Sequence, residues 1–367
     1  MYHNSRTGVT LVAHVDDFLV LGDKSELTAL LNSLKGEYEC SGEIMGPEDG
    51  EVKQLKFLGR SISLTRNGIE WEGNEKHVEA FLSKMELSSE NSMGPSGGVH
   101  APVVGTVGES TVANAGRNRK TRNVAATPWI KREEEDLNLR TPLCGAESTE
   151  YRGLVALLNY ISQDRPDTTF ASKEAAKTMS APAKEDMAQL KRVARYLYGH
   201  RRCALVYNWQ NTVNEINAFT DSDWGGDVRT RKSTSGGCIM NGNHLILHWS
   251  RTQQTIALSS AEAELNAMCK GGQEGLAATI MAGEVGLSIN LRIRTDASAA
   301  VGVIQRQGSG RVKHLQIRQL WLQEKSRDGD IVFNKIPRAV NFSDLLTHHW
   351  NEKDGKTHLE GMSAVVR

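Results

Sequence analysis

The sequence lacks any pair of cysteines at metal-binding spacing. Its 367 residues include five cysteines, Cys40, Cys144, Cys203, Cys238 and Cys269, an odd number with no CxxC among them. That pattern argues against a zinc knuckle and a secreted disulfide framework, and predicts reduced thiols. No apolar run approaches the roughly 18 residues of a membrane span. The opening MYHNSRTG lacks the basic-then-apolar layout of a signal peptide. An intracellular chain with no membrane partner is expected, in cytoplasm or nucleus. Net charge is also missing: 44 basic residues balance 44 acidic ones, so bulk charge gives no reason to expect a polyanion partner. A local basic face depends on placement instead. There is no internal repeat. A hydrophobic content of 39% and a mean hydropathy of -0.43 fit a soluble globular chain of two or three domains.

The chain divides by texture. Residues 1–88 read as strands and helices. GVTLVAHV and DFLVLGD form two strands hinged at Asp16 and Asp17, inside an apolar, buried-looking stretch. Leu27, Leu30, Leu31 and Leu34 predict a helix, with Ser25 as its cap. Arg66-Asn67-Gly68 predicts a hairpin turn. Val78, Phe81, Leu82 and Met85 mark another amphipathic helix. Residues 89–140, rich in Gly, Ser, Ala and Thr, read as a flexible linker. It carries the basic cluster Arg117, Arg119, Lys120 and Arg122. Residues 141–212 read as two helices. Met187, Leu190, Val193, Ala194 and Leu197 form the buried stripe of the second. Lys191, Arg192 and Arg195 lie off that stripe, as a face for a nucleic-acid backbone or for solvent. Residues 213–350 give strand, hairpin, long helix, strand, helix, helix, strand and short helix, which implies a mixed α/β sheet. Residues 351–367 are expected as a tail.

In that fourth block the acids fall at junctions. Asp221 ends the first strand and Asp296 the fourth. Glu262 and Glu264 begin the long helix, and Asp344 opens the last one, capped by Asn341 or Ser343. Sites in α/β sheets form at the carboxyl ends of strands. Carboxylates converging there repel unless cations intervene, and hard oxygen ligands suit Mg²⁺ or Mn²⁺. Two such ions can drive phosphodiester hydrolysis. Glu262 and Glu264 point about 200° apart around a helix, so they cannot both face one site. Phase alone does not choose between them.

DSDWGGDVRTRKSTSGG, HWSRTQQTIALSSAEAEL, RTDASAA, RVKHLQIRQLWLQE and VNFSDLLT, in this order, resemble the ribonuclease H domain of copia-type LTR-retrotransposon Pol polyproteins. The resemblance implies an α/β, ribonuclease H-like mixed five-stranded sheet with flanking helices. It implies hydrolysis of the RNA strand of an RNA–DNA hybrid with two Mg²⁺ or Mn²⁺ ions. It places catalytic and metal-binding roles on Asp221, Glu264, Asp296 and Asp344, with Glu262 as runner-up, and substrate contact or a structural role on His314. Arg231 and Lys232, in the first of these motifs, join Lys191, Arg192 and Arg195 as expected nucleic-acid contacts. The text departs from the family at SDLLTHHW, where AD…TKP is usual. EYRGLVALLNYISQDRPDTTFA and AQLKRVARYLYGH resemble the family's connection.

AHVDDFLVLG resembles the YVDD hairpin of reverse transcriptases, with His14 replacing tyrosine. KFLGRSI resembles the strand holding the primer end, and the following helix the start of the thumb. Asp16 and Asp17 are thus expected as a polymerase remnant. Only fifteen residues precede Asp16, too few for a further palm strand and fingers, so polymerisation by this chain alone is not expected. The alternatives are a catalytically dead retroelement remnant or nucleic-acid-binding module, and a fragment of a full RNA-directed DNA polymerase.

Overall fold

Three short strands open the chain: β1 (Tyr2–Asn4), β2 (Val9–His14) and β3 (Asp17–Leu21), paired as an antiparallel meander. The structure, a computed structural model, describes residues 1–87, 124–131, 140–306, 308 and 317–367. His14 pairs with Asp17, so Val15 and Asp16 form the turn. Val15 takes φ +53° there, a left-handed backbone that a β-branched residue adopts only under strain. The hairpin was expected to be buried, but Val15 is 83% exposed and Phe18 53%. Its apolar alternation meets no core among the described residues. Helix α1 (Lys24–Glu37) follows, with Asp23 rather than Ser25 in the cap position.

A second, antiparallel sheet joins distant parts of the chain. Its order is β13 (Ala364–Val366), β7 (Cys203–Asn208), β6 (Gly68–Glu72), β5 (Arg60–Thr65) and β4 (Gln54–Phe57). Thr65 pairs with Gly68 across the Arg66-Asn67 turn. Residues 351–367 are therefore not a free tail. They form helix α9 (Glu352–Gly361) and strand β13 because Leu359, Met362 and Ala364 are buried against Cys203 and Leu205.

Helices α2 (Glu75–Lys84), α3 (Gly145–Ile161), α4 (Pro166–Ala176) and α5 (Lys184–Gly199) surround one core. Phe81, Leu82, Tyr151, Leu154, Leu158, Leu190 and Leu197 are fully buried in it. Truncating one of these leucines to alanine should cost about 2–5 kcal/mol. Trp129 is buried in the same core, so residues 124–131 of the expected linker are packed. The cluster Arg117, Arg119, Lys120 and Arg122 lies outside the described residues.

The remaining sheet has the order β10 (His244–Thr252), β9 (Thr234–Asn241), β8 (Glu215–Ser222), β11 (Asn290–Thr295) and β12 (Ile331–Lys335). The first three strands are antiparallel; β8, β11 and β12 run parallel. This is the ribonuclease H-like mixed sheet expected from the sequence. Both faces are covered, as a sheet with parallel central strands requires. Ile216, Ala218, Ile239 and Ile293 share one core with Leu265 and Met268 of α6 (Ser260–Glu284), with α7 (Ser298–Ile304) and with Leu322 of α8 (Ile317–Arg327). Phe219, Cys238 and Met240 face the other way, onto Leu345, Leu346 and Leu359. Where a short last helix was expected, Phe342–Leu346 is a 3-10 turn. Asn341 explains it: its amide donates to Thr220 O and its carbonyl accepts from Ser343 Oγ. Such side-chain bonds compete with helix formation.

Candidate functional site

Asp221 is the penultimate residue of β8, and Asp296 directly follows the parallel neighbour β11. Both therefore emerge at the same sheet edge. Glu264 hangs from the second turn of α6. That helix lies close on β8 at Gly271, where a Cβ would overlap Thr220 Cγ2. The carboxylate oxygens of Asp221, Glu264 and Asp296 lie within 4.8 Å of one another. Among the described residues, no other group of three His, Cys, Asp or Glu side chains is so arranged.

Burial makes this arrangement costly without a cation. Desolvation, with the neighbouring Asp221 and Asp296, pushes the Glu264 carboxyl up to about 9. Desolvation pushes Asp221 up to about 6, helped by Asp344 and Asp296 and opposed by the Thr347 hydroxyl, which donates to Asp221 Oδ2. Glu264 Oε2 is buried with no hydrogen-bond partner. An orphaned carboxylate oxygen among like charges is what a cation would satisfy, and an all-oxygen set fits a hard divalent ion. The group is an acidic triad able to hold a divalent metal.

Glu262 is elsewhere. Its carboxylate accepts the Leu258 N–H at 2.7 Å, and its own N–H is capped by Ser259 Oγ at 3.2 Å. The signal for this was in the sequence: Ser259-x-x-Glu262 is a capping-box pattern. Asp344 stands beside the triad rather than in it. Its carboxylate takes Arg338 at 2.9 Å and His348 Nε2 at 3.2 Å, yet it lies near enough to raise Asp221. Thr347, Arg338 and His348 were not anticipated, although all three flank Asp344 in sequence. His314 lies outside the described residues.

The other expected residues are dispersed. Asp16 and Asp17 sit exposed at the first hairpin tip, in no such acidic group. Lys191 is exposed, Arg195 is half-buried, and Arg192 donates to Thr127 Oγ1 at 3.0 Å. Arg231 is exposed and Lys232 half-buried, in the loop after β8. That loop turns its acids inward. Asp223 accepts the Thr234 N–H, and Asp227 accepts the N–H groups of Arg229 and Thr230 and pairs with Lys177 at 3.1 Å. Arg229, which sequence reading missed, and Arg231 and Lys232 make no ion pair among the described residues, so the loop presents cations outward.

No protein-family model matches the chain. The retrovirus-related Pol polyprotein from transposon TNT 1-94 of Nicotiana tabacum is 25% identical over 342 residues, covering 92% of this chain and 23% of the relative. The retrovirus-related Pol polyprotein from transposon RE1 of Arabidopsis thaliana is 32% identical over 157 residues, covering 43% of this chain and 10% of the relative. A foamy viral protease-reverse transcriptase, solved in complex with an RNA/DNA hybrid, is 14% identical, covers 89% of this chain and 36% of that chain, and superposes with a TM-score of 0.46. The chain thus spans less than a quarter of the length of these curated relatives. Motif order, the junction carboxylates and the two sequence similarities agree: retrovirus-related Pol polyproteins of plant transposons are homologues of this chain.

Proposed function

We propose that residues 213–350 act as a ribonuclease H-type endonuclease that hydrolyses the RNA strand of RNA–DNA hybrids. The observation that carries this reading is the gathering of Asp221, Glu264 and Asp296 from three separate elements, with oxygens within 4.8 Å. These three, with Asp344 alongside, would hold two Mg²⁺ or Mn²⁺ ions. When bound, such ions supply an activated water and stabilise the leaving oxygen of a phosphodiester. The chain's own groups prepare the site. Thr347 fixes one oxygen of Asp221. Arg338 and His348 restrain Asp344 at the rim. Arg229, Arg231 and Lys232 would meet the hybrid's phosphates, which position a substrate without reading sequence. Lys191 and Arg195 would add separate phosphate contacts, and His314 would contact substrate.

The test is cleavage of a labelled RNA–DNA hybrid in Mg²⁺. Asp221→Asn and Glu264→Gln should each lose roughly 100-fold or more in rate. No cleavage by the unsubstituted chain, or cleavage unchanged in Asp221→Asn, would refute the proposal.

A further inference from the structure

We infer that Gln253 is a positioning residue for the carboxylate triad, and that Gln319 supports its setting through Asn266. The inference rests on the metal-centre reading above. Gln253 directly follows β10 and is 7% exposed. Its side-chain nitrogen lies 2.8 Å from Ala263 O, 2.9 Å from Ser235 Oγ and 3.2 Å from Ser222 Oγ. Ser222 follows Asp221 in β8, and Ala263 precedes Glu264 in α6. One amide therefore ties together the chain neighbours of two carboxylates that come from different elements.

The other end of the amide is fixed as well. Gln253 Oε1 accepts from Asn266 Nδ2 at 3.0 Å, and Asn266 Oδ1 accepts from Gln319 Nε2 at 2.9 Å. Asn266 and Gln319 are buried too. An amide can rotate by half a turn with little change of shape, so only its partners choose its orientation. In this series every link donates in a fixed sense. Turning Asn266 over would set amine against amine at Gln319 and carbonyl against carbonyl at Gln253. Packing alone needs none of this, because a methionine of similar length fills the same space without desolvating amides. What the relay adds is direction. Three carboxylates that repel one another press their elements apart, and the Gln253 amide holds Ser222 to Ala263 from behind.

The experiment is calorimetric titration of the full chain with Mn²⁺, comparing Gln253→Met, Gln319→Met and the double variant, with folding checked by circular dichroism. Gln253→Met should weaken Mn²⁺ binding about 10-fold and Gln319→Met about 3-fold, while the double variant should match Gln253→Met alone, because the two act through one path. If Gln253→Met does not fold, weakened binding in a folded Gln319→Met upholds the proposal and unchanged binding overturns it. Two folded variants with unaltered Mn²⁺ affinity, or effects that simply add, would also overturn it. Absence of Mn²⁺ binding by the unsubstituted chain would instead bring down the metal-centre reading, and this inference with it.

Discussion

Glu264 is held where its charge is least welcome. Its carboxyl is pushed up to about 9, from an ordinary value of 4.5, by burial and by Asp221 and Asp296. A group whose folded value is raised favours folding below its unfolded value, and that contribution is lost as pH rises through the folded value. Without metal, stability should therefore decline from about pH 5 toward pH 9. Glu264→Gln should remove that part of the decline and make the metal-free chain more stable at pH 8 by about 1–3 kcal/mol, read by urea unfolding. The same variant should abolish stabilisation by Mn²⁺. Equal pH slopes in the two proteins would contradict this account. The junction acids were legible in the sequence because strand ends are where α/β sheets place chemistry. Glu264 was not separable from Glu262 by phase. Asp344 was legible as a nearby acid, but its capture by Arg338 and His348 was not, since SDLLTHHW gives no geometry until the 3-10 turn brings these groups together.

At the scale of elements, the approach of α6 to β8 sets how far Glu264 reaches. Gly271 permits it, since a Cβ there would meet Thr220 Cγ2. Gly271→Ala should cost about 1–3 kcal/mol by overpacking and should weaken Mn²⁺ binding by moving the helix outward. Thr220→Ser removes the opposing methyl and should restore both properties in the double variant. A double variant no better than Gly271→Ala would show that the helix is positioned by something else. Most helices and hairpins could be read from period and turn residues, as at Arg66-Asn67 and at the α5 stripe. The 3-10 turn could not, because Asn341 bonds to Thr220, far away in the chain. Helix α9 and strand β13 were missed because the large apolar side chains buried there are Leu359 and Met362 alone, with Ala364, too few positions for a period to show.

At the scale of the whole molecule, His248 joins the ribonuclease H-like sheet to the helices before it. Its ring reaches Gln163 O at 3.1 Å and Thr169 Oγ1 at 3.0 Å. Burial lowers its value to about 4 from 6.5. A lowered value means that the unfolded chain takes the proton first. The stabilisation is complete above 6.5 and is lost as pH falls toward 4. The loss should be roughly 2–3 kcal/mol, and thermal unfolding of His248→Gln should show a shallower fall over the same range. No difference in slope would argue that the junction opens before it titrates. The second sheet carries a further expectation. Deleting residues 364–367 removes β13 and the Arg367–Glu70 pair, with bonds of 2.7 and 3.0 Å. This should lower stability by about 2–4 kcal/mol, as read by denaturant midpoint.

Strand β13 beside β7 has one more consequence. The polypeptide leaves the second sheet at the end of β7 and returns to it at Ala364, which pairs with Leu205, on a strand about 4.8 Å from its neighbour. Everything between is a lobe closed at its neck, with entry and exit clasped side by side. A single protease cut within the lobe should therefore yield two fragments that travel together through gel filtration and part only in denaturant.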